Sequence, residues 1–149
     1  MFKILFALHL LTAIFAIGPL VHAATTASRG LRTADAGATA AAARTVTLYS
    51  YVSLAVVVFG FGVMSMDNPY GPGKVAEFSE AWIWLSALLW LVAVGLALGV
   101  IAPALQQATT RIGAGEAVDA MVGKVAASGG IVGLIFAGIV FLMVYKPGS

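Results

Sequence analysis

Apolar residues run almost unbroken through four stretches of this chain, at about Ile4–His22, Thr45–Met66, Ala81–Leu105 and Val125–Tyr145, and polar residues collect in the short intervals between them. Each stretch is about twenty residues long. A helix rising about 1.5 Å per residue crosses a hydrocarbon core of about 30 Å at that length. Backbone polar groups in lipid must be bonded within their own segment, so each stretch reads as a transmembrane helix. The pattern predicts an all-α, four-transmembrane-helix bundle built from two helical hairpins, as one integral membrane domain over 1–149. Helices are expected at about 2–34, 38–66, 79–112 and 116–145, with membrane spans at about 4–22, 45–66, 81–105 and 125–145.

The intervals sharpen this outline. Ala23–Ala34 and Ala38–Arg44 are alanine-rich and free of proline, so the helices should continue beyond the membrane. Gly37 and Gly113-Ala114-Gly115 are the strong breakers there, suited to tight turns between antiparallel helices. Glu116 and Asp119 are expected in the first turn of helix four, and Asp35 near the start of helix two, where carboxylates meet the positive end of the helix dipole. Asn68-Pro69-Tyr70-Gly71-Pro72-Gly73 cannot be regular helix, and Ser79-Glu80 offers a start for helix three. Met1-Phe2-Lys3 followed by an apolar run and Val21-His22-Ala23 imitates a signal peptide. The apolar run of about eighteen residues exceeds the usual 7–15, so this segment reads as helix one.

Two internal patterns bear on packing. Pro19-Leu20-Val21-His22-Ala23-Ala24-Thr25-Thr26 overlays Pro103-Ala104-Leu105-Gln106-Gln107-Ala108-Thr109-Thr110 at the proline, an alanine and both threonines, which suggests hairpins related as a parallel repeat. Pro19 and Pro103 should then kink their helices at matched depth. Small residues mark close helix contacts in membranes, where lipid is as apolar as leucine. Gly95 and Gly99 form a GxxxG, Gly129, Gly133 and Ala137 a longer stripe, and Ala13 and Ala16 an inner face of helix one; packing within the bundle and contact with another chain or copy both fit them. Trp82, Trp84, Tyr70, Tyr145 and Tyr49 fall near the expected interfaces, where amphipathic rings anchor.

Composition agrees: 61% hydrophobic, 9% charged, mean hydropathy +1.02. These values exclude a soluble domain, in which about a quarter of residues are charged. No cysteine is present, which removes disulfides and thiolate chemistry. Lys3, Lys74 and Lys146 fall on the side of the termini, while Arg29, Arg32, Arg44, Arg111 and Lys124 fall on the side of the two tight turns. The positive-inside rule makes the latter side cytoplasmic and both termini extracytoplasmic in a multi-pass cell-membrane protein. The net charge of +2 is membrane-flanking, and nucleic acid is not an expected partner.

His9 is the ionisable side chain well inside a span, and such a group is a functional-site candidate. It shares a helix face with Ala13 and Ala16 and lies near the depth of Gly60, Ser86 and Gly138. A neutral imidazole there can ligate haem iron or copper, with Met64, Ser86, Trp90 and Met143 as the surrounding pocket and Met64, Met66 or Met143 as a second ligand. A histidine bonded to Ser86, Thr12 or a backbone carbonyl is the simpler account. His22 is thirteen residues further along the same helix, about 20 Å away, so one metal cannot use both. Mid-span acidic or basic residues, phosphate-binding loops and HExxH are not found, which argues against secondary transport and known enzyme motifs. No catalytic residue and no firm metal site is assigned.

Leu8-His9-Leu10-Leu11-Thr12-Ala13-Ile14 with Gly18-Pro19, and Trp82-Ile83-Trp84-Leu85-Ser86 leading into Gly95-Leu96-Ala97-Leu98-Gly99 and Pro103-Ala104-Leu105, resemble the small bacterial membrane proteins called domain of unknown function 2269. That resemblance runs nearly full length and implies four spans with no established activity. More distantly, the early histidine resembles that of the copper-resistance D membrane proteins and the membrane-bound protoporphyrinogen oxidases. Further histidines or charges on other helices, which such a haem site would want, are missing here. The expectation is therefore a noncatalytic accessory or scaffold subunit, lodged in the lipid bilayer with other membrane subunits or with itself, a respiratory or transport complex being a reasonable host. The alternative is a haem-, copper- or quinone-binding redox protein using His9.

Overall fold

The computed structural model describes residues 1–148 and is entirely helical apart from its connections. Four helices are long and apolar enough to cross a membrane: α1 (Phe2–Arg32), α2 (Ala36–Met64), α3 (Ala81–Gly113) and α4 (Asp119–Tyr145). With 27 to 33 residues each, they rise about 40–50 Å and so exceed the hydrocarbon core at their ends. Leu5 lies against Gly62, Lys146 stands over the Trp82 ring and Gly148 approaches Ala81, so the termini and the 65–80 loop share one end. The two short turns form the other, here called the hairpin end.

The first turn falls at Thr33–Asp35 and not at Gly37, which lies in the first turn of α2. Ala34 takes the left-handed conformation (φ 48°), and the Asp35 amide donates to the Gly30 carbonyl at 2.9 Å. Asp35 then caps α2 by accepting from the Ala38 amide at 2.9 Å, so a cap outweighs the glycine as the boundary signal. The second turn uses Gly115 (φ 75°), with the Glu116 amide donating to Arg111 O at 2.8 Å. Glu116 stays outside α4, paired with Arg111 at 3.8 Å, and buried Val118 precedes the first turn that Asp119 opens. At the other end α3 begins at Ala81: Glu80 reaches back to accept from the Glu77 amide and also receives the Trp82 indole N–H. The 65–80 loop is tied by an Asp67–Lys74 bridge and by Ala76, buried against Met64 and Ile83.

α1 and α3 each contain one widened π turn, at Ala13–Ile17 and Ala97–Ile101, and the two stand in the same register to Pro19 and Pro103. Proline lacks an amide proton and crowds the carbonyl four residues back, at Phe15 and Gly99; a shift to i→i+5 bonding absorbs both effects. At these turns the helices change neighbours. The termini half of α1 lies on α2 and that of α3 on α4, whereas beyond the π turns α1 crosses mainly to α4 and α3 to α2. The hairpins therefore interlock at the hairpin end, where Leu20, Leu31, Val46, Ile101, Leu105 and Val125 are almost wholly buried. In contrast, Phe2–Thr12 buries no residue.

Candidate functional site

His9 faces α2. Its Nδ1 lies 2.9 Å from the Val56 carbonyl oxygen, and since a carbonyl can only accept, Nδ1 is the donor. This donor reaches the helix backbone because residue 60 is glycine: a Cβ there would lie 3.1 Å from the imidazole Cε1. Leu5 rests one turn away over Gly62. Thr12 turns its hydroxyl to the Leu8 and His9 carbonyls of its own helix. The histidine thus seats the exposed half of α1 in a glycine notch, and its Nε2 remains an acceptor with no partner among the described residues.

Among the described residues no hydrogen bond joins His9 to Met64, Ser86, Trp90 or Met143. Met64 is buried beneath the loop with Ala76 and Ile83. The Trp90 indole donates to Ser53 Oγ at 3.0 Å, joining α3 to α2, and Ser53 donates to the Ser50 carbonyl at 2.6 Å. Ser86 Oγ and Ser50 Oγ are buried without a hydrogen-bond partner. Met143 is 39% exposed on α4, and His22 is exposed on α1. Among the described residues no cluster of three or more His, Cys, Asp or Glu could hold a metal ion.

The small residues divide into two sets. A Cβ at Gly129 would overlap the Ala24 carbonyl and lie 3.3 Å from Thr25 Cα, and one at Gly133 would meet Thr25 Cγ2 at 3.2 Å. Those glycines form the α1–α4 crossing. Ala16 is buried and Ala13 half-buried. Gly95, Gly99 and Ala137 face outward, and a Cβ at either of those two glycines would meet nothing within 4 Å.

Sequence reasoning missed two features. One is the Ser53–Trp90 link, for which the two serines three residues apart on an apolar helix, Ser50 and Ser53, are the signal. The other is an open cavity of about 570 Å³ between α2 and α3 at the hairpin end. Arg44, Thr47, Leu48 and Tyr51, at helical spacing, advertise that face.

No family model, curated protein or solved structure matches this chain, so the family resemblances rest on the residues quoted for them.

Proposed function

We propose that this membrane-spanning protein is a noncatalytic accessory or scaffold subunit that associates laterally, with further copies of itself or with the helices of a larger complex. The observation that carries this reading is the outward GxxxG of α3. Lipid gains nothing from a glycine groove that another helix could fill, and small outward residues are what membrane helices use to approach one another. In the register that superposes Pro103 on Pro19, Gly95 and Gly99 correspond to Leu11 and Phe15, which are 49% and 68% exposed on α1. One hairpin offers large side chains where the other offers a groove, which supports a head-to-tail contact between copies.

The chain lacks cysteine, so paired single substitutions are clean probes. Co-expressed Phe15→Cys and Gly99→Cys chains should crosslink in membranes, and Phe15→Cys alone should not. A monomer with no crosslink and no co-purifying subunit removes the reading.

The His9 geometry favours a second reading, a haem-, copper- or quinone-binding redox protein. An imidazole whose Nδ1–H is fixed on a backbone carbonyl presents Nε2 in the tautomer that metal ligation requires. Protein purified gently from its native membrane should then show a chromophore or stoichiometric copper that His9→Ala loses. A colourless, metal-free sample carrying no quinone counts against it.

A further inference from the structure

Of the eight basic residues, five lie at the hairpin end against three acidic ones, Asp35, Glu116 and Asp119, so the whole net charge of +2 sits there. Arg44 differs from the other four. It lines the open cavity between α2 and α3, which runs along α2 from Ala40 past Arg44 and Leu48 to Tyr51 and is flanked on α3 by Gln106 and Thr109. Seven residues of helix separate Arg44 from Tyr51, so the part of the cavity beyond Arg44 extends about 10 Å along α2. Its volume of about 570 Å³ lies within the usual range for small-molecule sites.

The polar groups of the walls are unequally engaged. Thr47 donates its hydroxyl to the Ala43 carbonyl at 2.8 Å, and Thr109 donates to Leu105 O at 2.8 Å while bonding Thr39 across the helix pair at 2.8 Å. These threonines therefore show the cavity mainly their methyl groups. The Arg44 guanidinium and the Gln106 amide have no hydrogen-bond or ion-pair partner among the described residues. The cavity thus has unengaged donors at Arg44 and Gln106 and, beyond them, a wall of Leu48 and the Tyr51 ring, whose hydroxyl is also without a partner among the described residues. Arg44 is also where the alanine-rich extension of α2 gives way to its apolar span, placing its guanidinium at headgroup level and Leu48 and Tyr51 among acyl chains.

We propose that this cavity holds an anionic glycerophospholipid from the leaflet at the hairpin end, its phosphate on Arg44 and Gln106 and one acyl chain against Leu48 and Tyr51. Guanidinium is suited to bidentate bonding of phosphate oxygens, and its attraction is strengthened beside low-dielectric hydrocarbon. A zwitterionic lipid brings the same phosphate with a cation attached, so the unpaired arginine discriminates between the two.

The test uses the full chain reconstituted in vesicles of equal phosphatidylcholine and phosphatidylglycerol, extracted in mild detergent and analysed by native mass spectrometry. Phosphatidylglycerol should be retained in preference. Arg44→Gln should lower that retention about fivefold, the worth of one basic residue at a lipid surface, whereas Arg32→Gln, outside the cavity, should leave it unchanged. Ala40→Leu, which adds bulk to the half-exposed wall and leaves the charge in place, should reduce retention of both lipids. Equal retention of the two lipids by the wild type, or undiminished phosphatidylglycerol on Arg44→Gln, overturns the proposal. Loss on Arg44→Gln with no effect of Ala40→Leu also overturns it, because attraction would then need no cavity.

Discussion

Single atoms decide the closest contacts in this bundle. Gly129 lets α4 touch the backbone of α1 at Ala24, and a methyl there would have to push two helices apart. Gly129→Ala should therefore lose about 1–3 kcal/mol, the cost of overpacking a tight interior, measured by SDS-driven unfolding in mixed micelles. Gly95→Ala, which meets nothing within its own chain, should lose nothing in the same assay on the monomer. Ala34 presents the opposite case, because a left-handed backbone carries a Cβ penalty of about 1–2 kcal/mol. Ala34→Gly should raise stability by about 1 kcal/mol once the entropy of glycine is set against that relief; a loss would mean that the turn tolerates alanine. His9 was legible as a candidate from its position alone, and Gly60 from its matched depth. A backbone carbonyl was among the expected partners of His9, but that it is the one of Val56 was not legible, since backbone acceptors leave no mark in a sequence.

At the scale of elements, the apolar runs made four helices predictable because membrane length and backbone bonding leave few alternatives. Boundaries at the hairpin end were less legible. Gly37 looked like the turn, yet the Asp35 side chain can bond the Ala38 amide and so starts α2 ahead of the glycine. The matched prolines were visible as a repeat, but hydrophobic pattern cannot reveal that each is preceded by an i→i+5 turn. Between elements, Thr39 and Thr109 form the polar clasp of α2 with α3. Thr109→Val should weaken the fold by about 0.6 kcal/mol, an average value for hydrogen bonds between membrane helices. Unfolding of the single and double Thr39 and Thr109 variants would isolate that coupling, and strict additivity would show that the clasp contributes nothing.

For the whole molecule, the core sits at the hairpin end, and the termini end holds two loosely apposed helix pairs. The positive-inside rule, applied to the asymmetry of basic residues, predicts a cytoplasmic hairpin end. In intact cells, Asn68→Cys in the long loop should react with an impermeant maleimide, while Thr33→Cys should react only after permeabilisation; the reverse pattern would invert the topology. Which outward faces meet lipid and which meet protein was beyond the sequence, because both call for the same apolar residues.

The widened turns also act on the phase of the whole chain. An α-helix advances about 100° per residue, and an i→i+5 turn in effect accommodates one residue more than an α-helical turn does. Each proline-bearing helix thus presents in its second half a face offset by about 100° from the one an unbroken α-helix of the same sequence would present. Straightening Ala13–Ile17 into α-helix with all its residues kept would turn Leu20, Ala23 and Ala24 by about 100°, away from the core they fill. Straightening Ala97–Ile101 in the same way would do this to Ala104, Leu105 and Ala108. These two five-residue segments work as a matched pair of gears, and the interlocked end of the bundle is in mesh only while both keep their extra tooth.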